Sequence, residues 1–360
     1  MALKIIAITT AYILLSEFFC FVGILFENWG LVNQFQSSKF IIMKKNNLAN
    51  SLTAMVTSFL VAAFSFTSCQ KDNADDGAAN TTIKITDAPI DDASVSGAFV
   101  TITDIKLDGQ SVQGFTKTTV DLNAYQNGAT RTLGNFSLQG RTYSTITFVL
   151  DFNTDASGNT PGCYVLAGAV KHKLQSTANS ITINKSLTLL GGASNSIVAD
   201  FDLRKIIIRQ SGGPSDQYDF ATAAELESSI RVVAESKTGI ISGNLTDAVS
   251  GSGKVVAYAY KKGTFVRSTE MQGQGSSSIQ FKNAVSSAVV SGTGSYQLHF
   301  LENGSYEVHF ASYKDTNADG VLELQGTLVI TGSGSIDFLN LSVNSSLTLT
   351  ANATVTAVLP

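Results

Sequence analysis

From about residue 80 onward, apolar residues recur at every second position over short stretches, and polar, glycine-containing segments separate these stretches. Ile83–Ile85, Val100–Ile102, Ile146–Phe148–Leu150, Ile181–Ile183 and Ile197–Ala199–Phe201–Leu203 all follow this rule. A period of two is that of a strand with one buried face. Thr, Ser, Asn and Gly fill many of the intervening positions and turns. Repeated short strands of this kind predict an all-β protein of two β-sandwich domains. One short helix is expected over Asp219–Ser228, with Asp219 as its N-cap. A boundary is expected near Lys237–Thr238–Gly239, dividing a β-domain over 81–237 from a small β-sandwich over 238–360. The run Gly273–Ser278 predicts a flexible loop within the second unit.

The first 80 residues follow another pattern. An apolar run from Ile5 to Phe26, broken by Ser16 and Glu17, opens residues 1–42. That segment reads as an upstream extension ahead of a true start at Met43, or as an additional membrane helix. Residues 43–68 bring Lys44 and Lys45, a mostly apolar stretch from Leu52 to Phe66, and then Thr67–Ser68–Cys69. This is the order of a signal peptide, and its apolar part is short for a ~30 Å hydrocarbon core. Phe66–Thr67–Ser68–Cys69 resembles a bacterial lipoprotein lipobox, with Phe66 in place of the usual Leu. The resemblance implies an acylated Cys69 at the start of the mature protein. Residues 69–80 are then an acylated Cys followed by a polar, acidic tether expected to be disordered. Its acidic run is also similar to the export signal that takes some lipoproteins to the outer face of the outer membrane, and a generic linker has the same composition.

Charge and cysteine content narrow the function. Charged residues make up 14% of the chain, and 24 basic against 28 acidic residues leave a net charge of −4. That balance gives no electrostatic footprint for nucleic acid. Of three cysteines, Cys20 and Cys69 precede the strands. Cys163 stands alone, so no disulfide framework is expected, and it reads as a small buried hydrophobe.

Three segments carry a family resemblance. Ile85–Thr86–Asp87–Ala88–Pro89–Ile90–Asp91, then Ala199–Asp200–Phe201–Asp202–Leu203–Arg204–Lys205–Ile206, then Ile230–Arg231–Val232–Val233 resemble, in order, the bacterial lipoprotein family called domain of unknown function 4382. Residues 221–229 depart from its pattern. The resemblance implies a secreted β-domain and supplies no catalytic residues. The second unit resembles the transthyretin-like or collagen-adhesin-B-like sandwiches.

Several clusters could carry chemistry. Tyr296–Phe300 and Ser305–Phe310 read as a hairpin with a three-residue loop, a register that joins their apolar faces and gathers Gln297, His299, Glu307 and His309 on the other. His299, Glu307 and His309 would make a weak metal site or a polar sheet face. Asp315–Thr316–Asn317–Ala318–Asp319–Gly320–Val321 spaces oxygen donors as Ca²⁺ requires. Asp315, Asn317, Asp319, the Val321 carbonyl and Glu323 would be its ligands; the same residues also make a polar turn. Asp87, Asp91, Asp92 and Asp104 form a second acidic group that could equally be turn formers. Asp200 and Asp202 share a strand face, a spacing open both to paired-carboxylate glycosidase chemistry and to an ordinary polar face. Tyr258, Tyr260 and Tyr313 are candidates to stack on a sugar or to pack in a core.

These features predict a lipid-anchored outer-membrane protein, surface-exposed, acting as a non-catalytic binding or structural module. Its partners are the membrane through acyl chains and an extracellular protein or glycan; the cofactor to consider is Ca²⁺. Alternatives are a calcium-stiffened adhesin or glycan-binding protein, and a secreted glycan hydrolase.

Overall fold

The computed structural model describes residues 77–88, 94–176, 178–210, 217–247, 253–317 and 322–360. Residues 1–76 lie outside them, so the signal-peptide and Cys69 expectations fall beyond the described residues. No helix among the described residues is long and apolar enough to cross a membrane.

The first lobe contains β1 (Ala78–Ala88), β2 (Val95–Leu107), β3 (Gln110–Ser111), β4 (Thr118–Asp121), β5 (Arg131–Gln139), β6 (Thr142–Leu150), β7 (Tyr164–Ala167), β8 (Val170–Lys173), β9 (Ser180–Thr188), β10 (Ser194–Asp202), β11 (Ile207–Gln210), β12 (Gln217–Phe220) and β13 (Ile230–Ala234). A four-stranded sheet, β13-β10-β1-β5, faces a sheet ordered β8-β7-β2-β6-β9, with β3 and β4 added on β2. Ile83, Ile197, Ala199 and Phe201 from the first meet Ile102, Ile105, Ile146 and Phe148 from the second in one dry core. The edge-on contact of Phe148 with Phe201, 5.5 Å between ring centres, bridges the layers. A bulge between Ile102 and Asp104 shifts the alternation, so that Ile102 and Ile105 both face inward.

The second lobe contains β14 (Thr238–Asp247), β15 (Lys254–Lys261), β16 (Ser286–Val289), β17 (Ser295–Glu302), β18 (Gly304–Lys314), β19 (Glu323–Gly332), β20 (Leu341–Val343), β21 (Thr348–Thr350) and β22 (Ala353–Leu359). Their path is β16-β15-β18-β19-β22-β14-β17. It folds over a core that includes Tyr296, Leu298, Leu301, Tyr306, Val308 and Phe310. On the opposite side of β15, Val256, Tyr258 and Tyr260 pack with Phe281, Ala284 and Tyr313 in a smaller core. The segment between β15 and β16, which includes a short helix (Arg267–Met271), forms its cover. The protein is thus all-β, built from two β-sandwiches.

Three local expectations change. The hairpin at 296–310 does not form, because β17 pairs with β14 and β18 pairs with β15, β19 and β20. The two strands face one another across the core instead of lying side by side. The reason lies in β17: Gly239 pairs with Leu301 and Ile241 with Leu298, so Ile240 stands against both His299 and Phe300. Phe300 takes a φ of +55°, a left-handed conformation that a non-glycine residue seldom adopts. The side chain therefore leaves the core that Leu298 and Leu301 enter.

The helix begins later than expected, at Ala223, and runs to Ser229. Asp219 belongs to β12, opposite Ile208. Thr222 and Glu225 supply the start signal, with the Glu225 carboxylate accepting from Thr222 N at 3.1 Å. The Gly273–Ser278 run is pinned rather than flexible. Ser277 N and Oγ donate to Glu225 at 3.1 and 2.6 Å, and Gln274 and Ile279 bond each other.

Candidate functional site

The site grows from strand pairing. β1 lies parallel to β10, with Thr86 opposite Asp200, Asp87 opposite Phe201 and Ala88 opposite Asp202. β13 lies antiparallel on the other side of β10, with Arg231 opposite Asp200. The three segments that resembled one family are therefore adjacent strands of one sheet. Alternation sends Ile197, Ala199, Phe201, Ile230 and Val232 into the first core. Val198, Asp200, Asp202, Arg231 and Val233 are left on the other face, where a polar, solvated surface was one expectation.

Instead, the second lobe covers that face. Phe300 packs on Val198 and Val233 and is 9% exposed. Arg231 holds Asp200 at 2.5 Å and donates to the carbonyls of His299, at 3.3 Å, and Phe300. The chain then enters a single helical turn, Leu203–Ile206, which aims Arg204 and Lys205 at the cover of the smaller core. Arg204 donates to Gln280 O and Phe281 O, and its guanidinium lies 5.2 Å from the Tyr258 ring centre. Lys205 donates to Ala284 O at 2.6 Å. Both cations also contact Asp202, each at 3.0 Å. Around the rim, Lys185 pairs with Glu302 at 2.7 Å, and Glu225 takes the two Ser277 bonds.

The electrostatics follow from this packing. Burial raises the pKa of Asp202, but Arg204 and Lys205 outweigh it and hold the carboxyl below its ordinary value. Burial pulls Lys205 down, against the attraction of Asp202. Asp87 goes the other way. Burial pushes its pKa well up, the charges of Asp200 and Asp202 add to this, and the hydrogen bond from Leu203 N opposes them. Asp87 Oδ2 has no hydrogen-bond partner among the described residues. A cavity of about 20 Å³ adjoins Asp87, bounded also by Asp200, Ser287 and His299. A separate cavity of about 450 Å³ runs past Asp200, Asp202, Lys205 and Arg231 but does not touch Asp87.

The other candidates have these positions. Burial lowers the pKa of His299, against the charge of Asp200; its ring bonds Gln297 and packs over Gly128 of the first lobe. His309 stacks on Phe265, 3.7 Å between ring centres, beside Glu307 at 3.4 Å, whose other oxygen accepts from Phe265 N. Without the expected hairpin, His299, Glu307 and His309 do not converge. Among the described residues no three His, Cys, Asp or Glu side chains are arranged to hold a metal. In the loop after β18, Asp319 and Val321 lie outside the described residues. Asp315 and Asn317 precede them, and Glu323 folds back to accept from Thr316 N at 2.7 Å and Thr316 Oγ1 at 2.8 Å. Asp104 accepts from Ser111, while Asp91 and Asp92 are outside the described residues. Tyr258, Tyr260 and Tyr313 are core residues, each no more than 2% exposed, so they present no ring to a sugar. Cys163 is buried, and burial pushes its thiol up to about 11.

Of the strands that build this site, β1 and β10 lie within residues 78–221, which match the family described as Domain of unknown function (DUF4382), and β13 and the second-lobe partners lie outside them. The match covers most of the first lobe. The match ends at Ala221, where the helix Ala223–Ser229 and the strand carrying Arg231 follow. No curated protein matches the chain. Solved structures similar to it include the TIE protein of Bacillus anthracis, 10% identical with a TM-score of 0.17, over 77% of this chain and 34% of that one. They also include the minor pilin GBS52 of Streptococcus agalactiae, 10% identical with a TM-score of 0.19, over 78% and 99%. The major pilin subunit BcpA of Bacillus cereus is 13% identical, with a TM-score of 0.18, over 77% and 70%. This chain spans about a third of the length of the TIE protein. Arg204 and Lys205, which donate to carbonyls of the second lobe, lie within the matched residues.

Proposed function

We propose that this is a lipid-anchored protein of the cell envelope, held in the outer membrane through an acylated Cys69 and exposed at the cell surface. There it acts as a non-catalytic binding or structural module whose partner is an extracellular protein or a glycan. The observation that carries the non-catalytic reading is the fate of the carboxylates. Asp200 and Asp202 are committed to cations that join the two lobes. Asp87, the carboxyl whose raised pKa would suit a general acid, borders a space too small for a sugar ring. Glycoside hydrolysis needs one of two facing carboxyl groups to be held protonated, whereas the pair that borders the cavity of about 450 Å³, Asp200 and Asp202, is ion-paired to Arg231, Arg204 and Lys205.

The anchor rests on the order of residues 43–69. Metabolic palmitate labelling of wild type and Cys69→Ala, with protease shaving of intact cells, tests it. Label in wild type alone, with shaving of the folded lobes, is the expected result. Unlabelled wild type removes the anchor.

Calcium is the second reading, supported by the return of Glu323 onto Thr316, which closes the Asp315–Glu323 loop as a ninth-position ligand must. Added Ca²⁺ should raise the melting temperature of wild type and leave the Asp315→Ala/Asp319→Ala variant unchanged. A wild type indifferent to Ca²⁺ removes this reading.

A further inference from the structure

Two exposed leucines stand out beside the point where the chain enters the first lobe. Leu190 is 62% exposed and Leu347 is 61% exposed, and both line one groove of about 660 Å³ between the lobes. The charged side chains lining that groove are Glu235, which Lys84 holds at 2.8 Å, and Lys237. Ser194, Ser346 and Thr348 give the rest of the rim small hydroxyl groups. A surface of leucine, hydroxyl and a cation, with its carboxylate paired, suits contact with a lipid headgroup layer better than contact with water.

The covalent chain decides what lies opposite. Gly77 accepts from Gly140 N at 2.9 Å, and Ala78 accepts from Gly192 N at 3.0 Å, two residues after Leu190. Seven residues lie between Cys69 and Gly77 in the sequence, so the two are at most about 29 Å apart. The far end of the same lobe is distinct. β2 runs from Asp108, bonded to Arg141 and Thr145 near Gly77, to Val95, which pairs with Ala167 close to Val170. A strand of this length spans roughly 40 Å.

We infer that the end of the molecule bearing Leu190 and Leu347 rests on the bilayer that holds Cys69, so that the Val170 end points away from it. This rests on the acyl-anchor reading. The tether keeps the face close to lipid, so the leucines set orientation and need not supply affinity of their own.

The sequence makes the test direct, because its one tryptophan, Trp29, precedes Cys69. In the processed, lipidated protein, Leu190→Trp, Leu347→Trp and Val170→Trp each introduce a sole reporter at an exposed position. The three variants are incorporated into vesicles of phosphatidylethanolamine and phosphatidylglycerol, with and without brominated acyl chains. Emission at 190 and 347 should shift to the blue and lose most of its intensity with brominated lipid, while emission at 170 should do neither. If all three respond alike, quenched or unquenched, in protein that floats with the vesicles, the proposed face is wrong and the anchor stands. Protein that carries no label and does not float overturns the anchor, and the face with it.

Discussion

The junction between the lobes has a closed side and an open side, and the two reverse the usual placement of residues. On the closed side, Asp200, Asp202, Arg204 and Lys205 are each less than 9% exposed. On the open side, Leu190 and Leu347 are each more than 60% exposed. Charged groups are ordinarily outside and large aliphatic ones inside. The inversion shows that burial here follows what covers a surface, not its composition. Main-chain carbonyls of the second lobe accept from the buried cations at a sheet face that the first lobe could not bury by itself. Nothing among the described residues covers the leucines.

The largest effect should come from breaking the closed side. Asp202→Ala removes the carboxylate shared by the buried Arg204 and Lys205 and should cost about 3–5 kcal/mol in urea unfolding, the range for removing one partner of a buried pair. A loss below 1 kcal/mol would show that the cations reach solvent. Phe300→Ala empties the contact with Val198 and Val233 and should cost about 3 kcal/mol. Phe300→Gly should cost less than Phe300→Ala, because glycine accepts the positive φ without strain; equal losses would show that the backbone there relaxes.

Glu225→Gln comes next, at about 2 kcal/mol at neutral pH, because the charged acceptor meets Thr222 and Ser277 with four hydrogen bonds. Burial opposes that charge, but the bonds prevail and pull the carboxyl down from 4.5 to about 2. A folded pKa below the unfolded one stabilises the fold above pH 4.5, and the gain disappears as pH falls through about 2. The gap between wild type and Glu225→Gln should therefore close over that window. Asp87 carries the opposite sign. Its raised pKa means that the ionised form destabilises the fold above its unfolded pKa, so Asp87→Asn should be more stable than wild type at pH 7. That advantage should shrink on acidification, and a destabilised Asp87→Asn at pH 7 would show that the charge is needed. The smallest effect belongs to the open side. Leu190→Ser and Leu347→Ser should change stability by no more than about 0.5 kcal/mol.

The strands were legible because period-two patterning needs only local sequence, and Ile197–Phe201 in β10 behaves as its alternation predicts. What covers the second face of β10 was not legible. Asp200 and Asp202 look the same in sequence whether water or another lobe lies above them. The hairpin at 296–310 failed for a related reason. Its apolar residues do share a core, but one extra residue at His299–Phe300 moved Phe300 to the opposite side. A bulge built on a non-glycine residue leaves no signature in composition. Thr222–Glu225 is a readable start signal for the helix, and Asp219, upstream of it, is held in β12. The pinning of Ser276–Ser278 could not be read at all, because serine and glycine run through flexible and docked loops alike.

The parallel pairing of β1 with β10 has a consequence for biogenesis. Ile83 meets Ile197 and Thr86 meets Asp200, partners more than a hundred residues apart. The second lobe repeats the device, with Leu245 of β14 beside Ala353 of β22. Each lobe is thus closed by strands from its two ends, a high-contact-order arrangement that folds slowly and late. If the chain crosses a membrane from its N-terminus, β1 emerges long before β10 can join it. Until then it presents an unpaired edge, and a chaperone that shields such edges would have its longest engagement with β1.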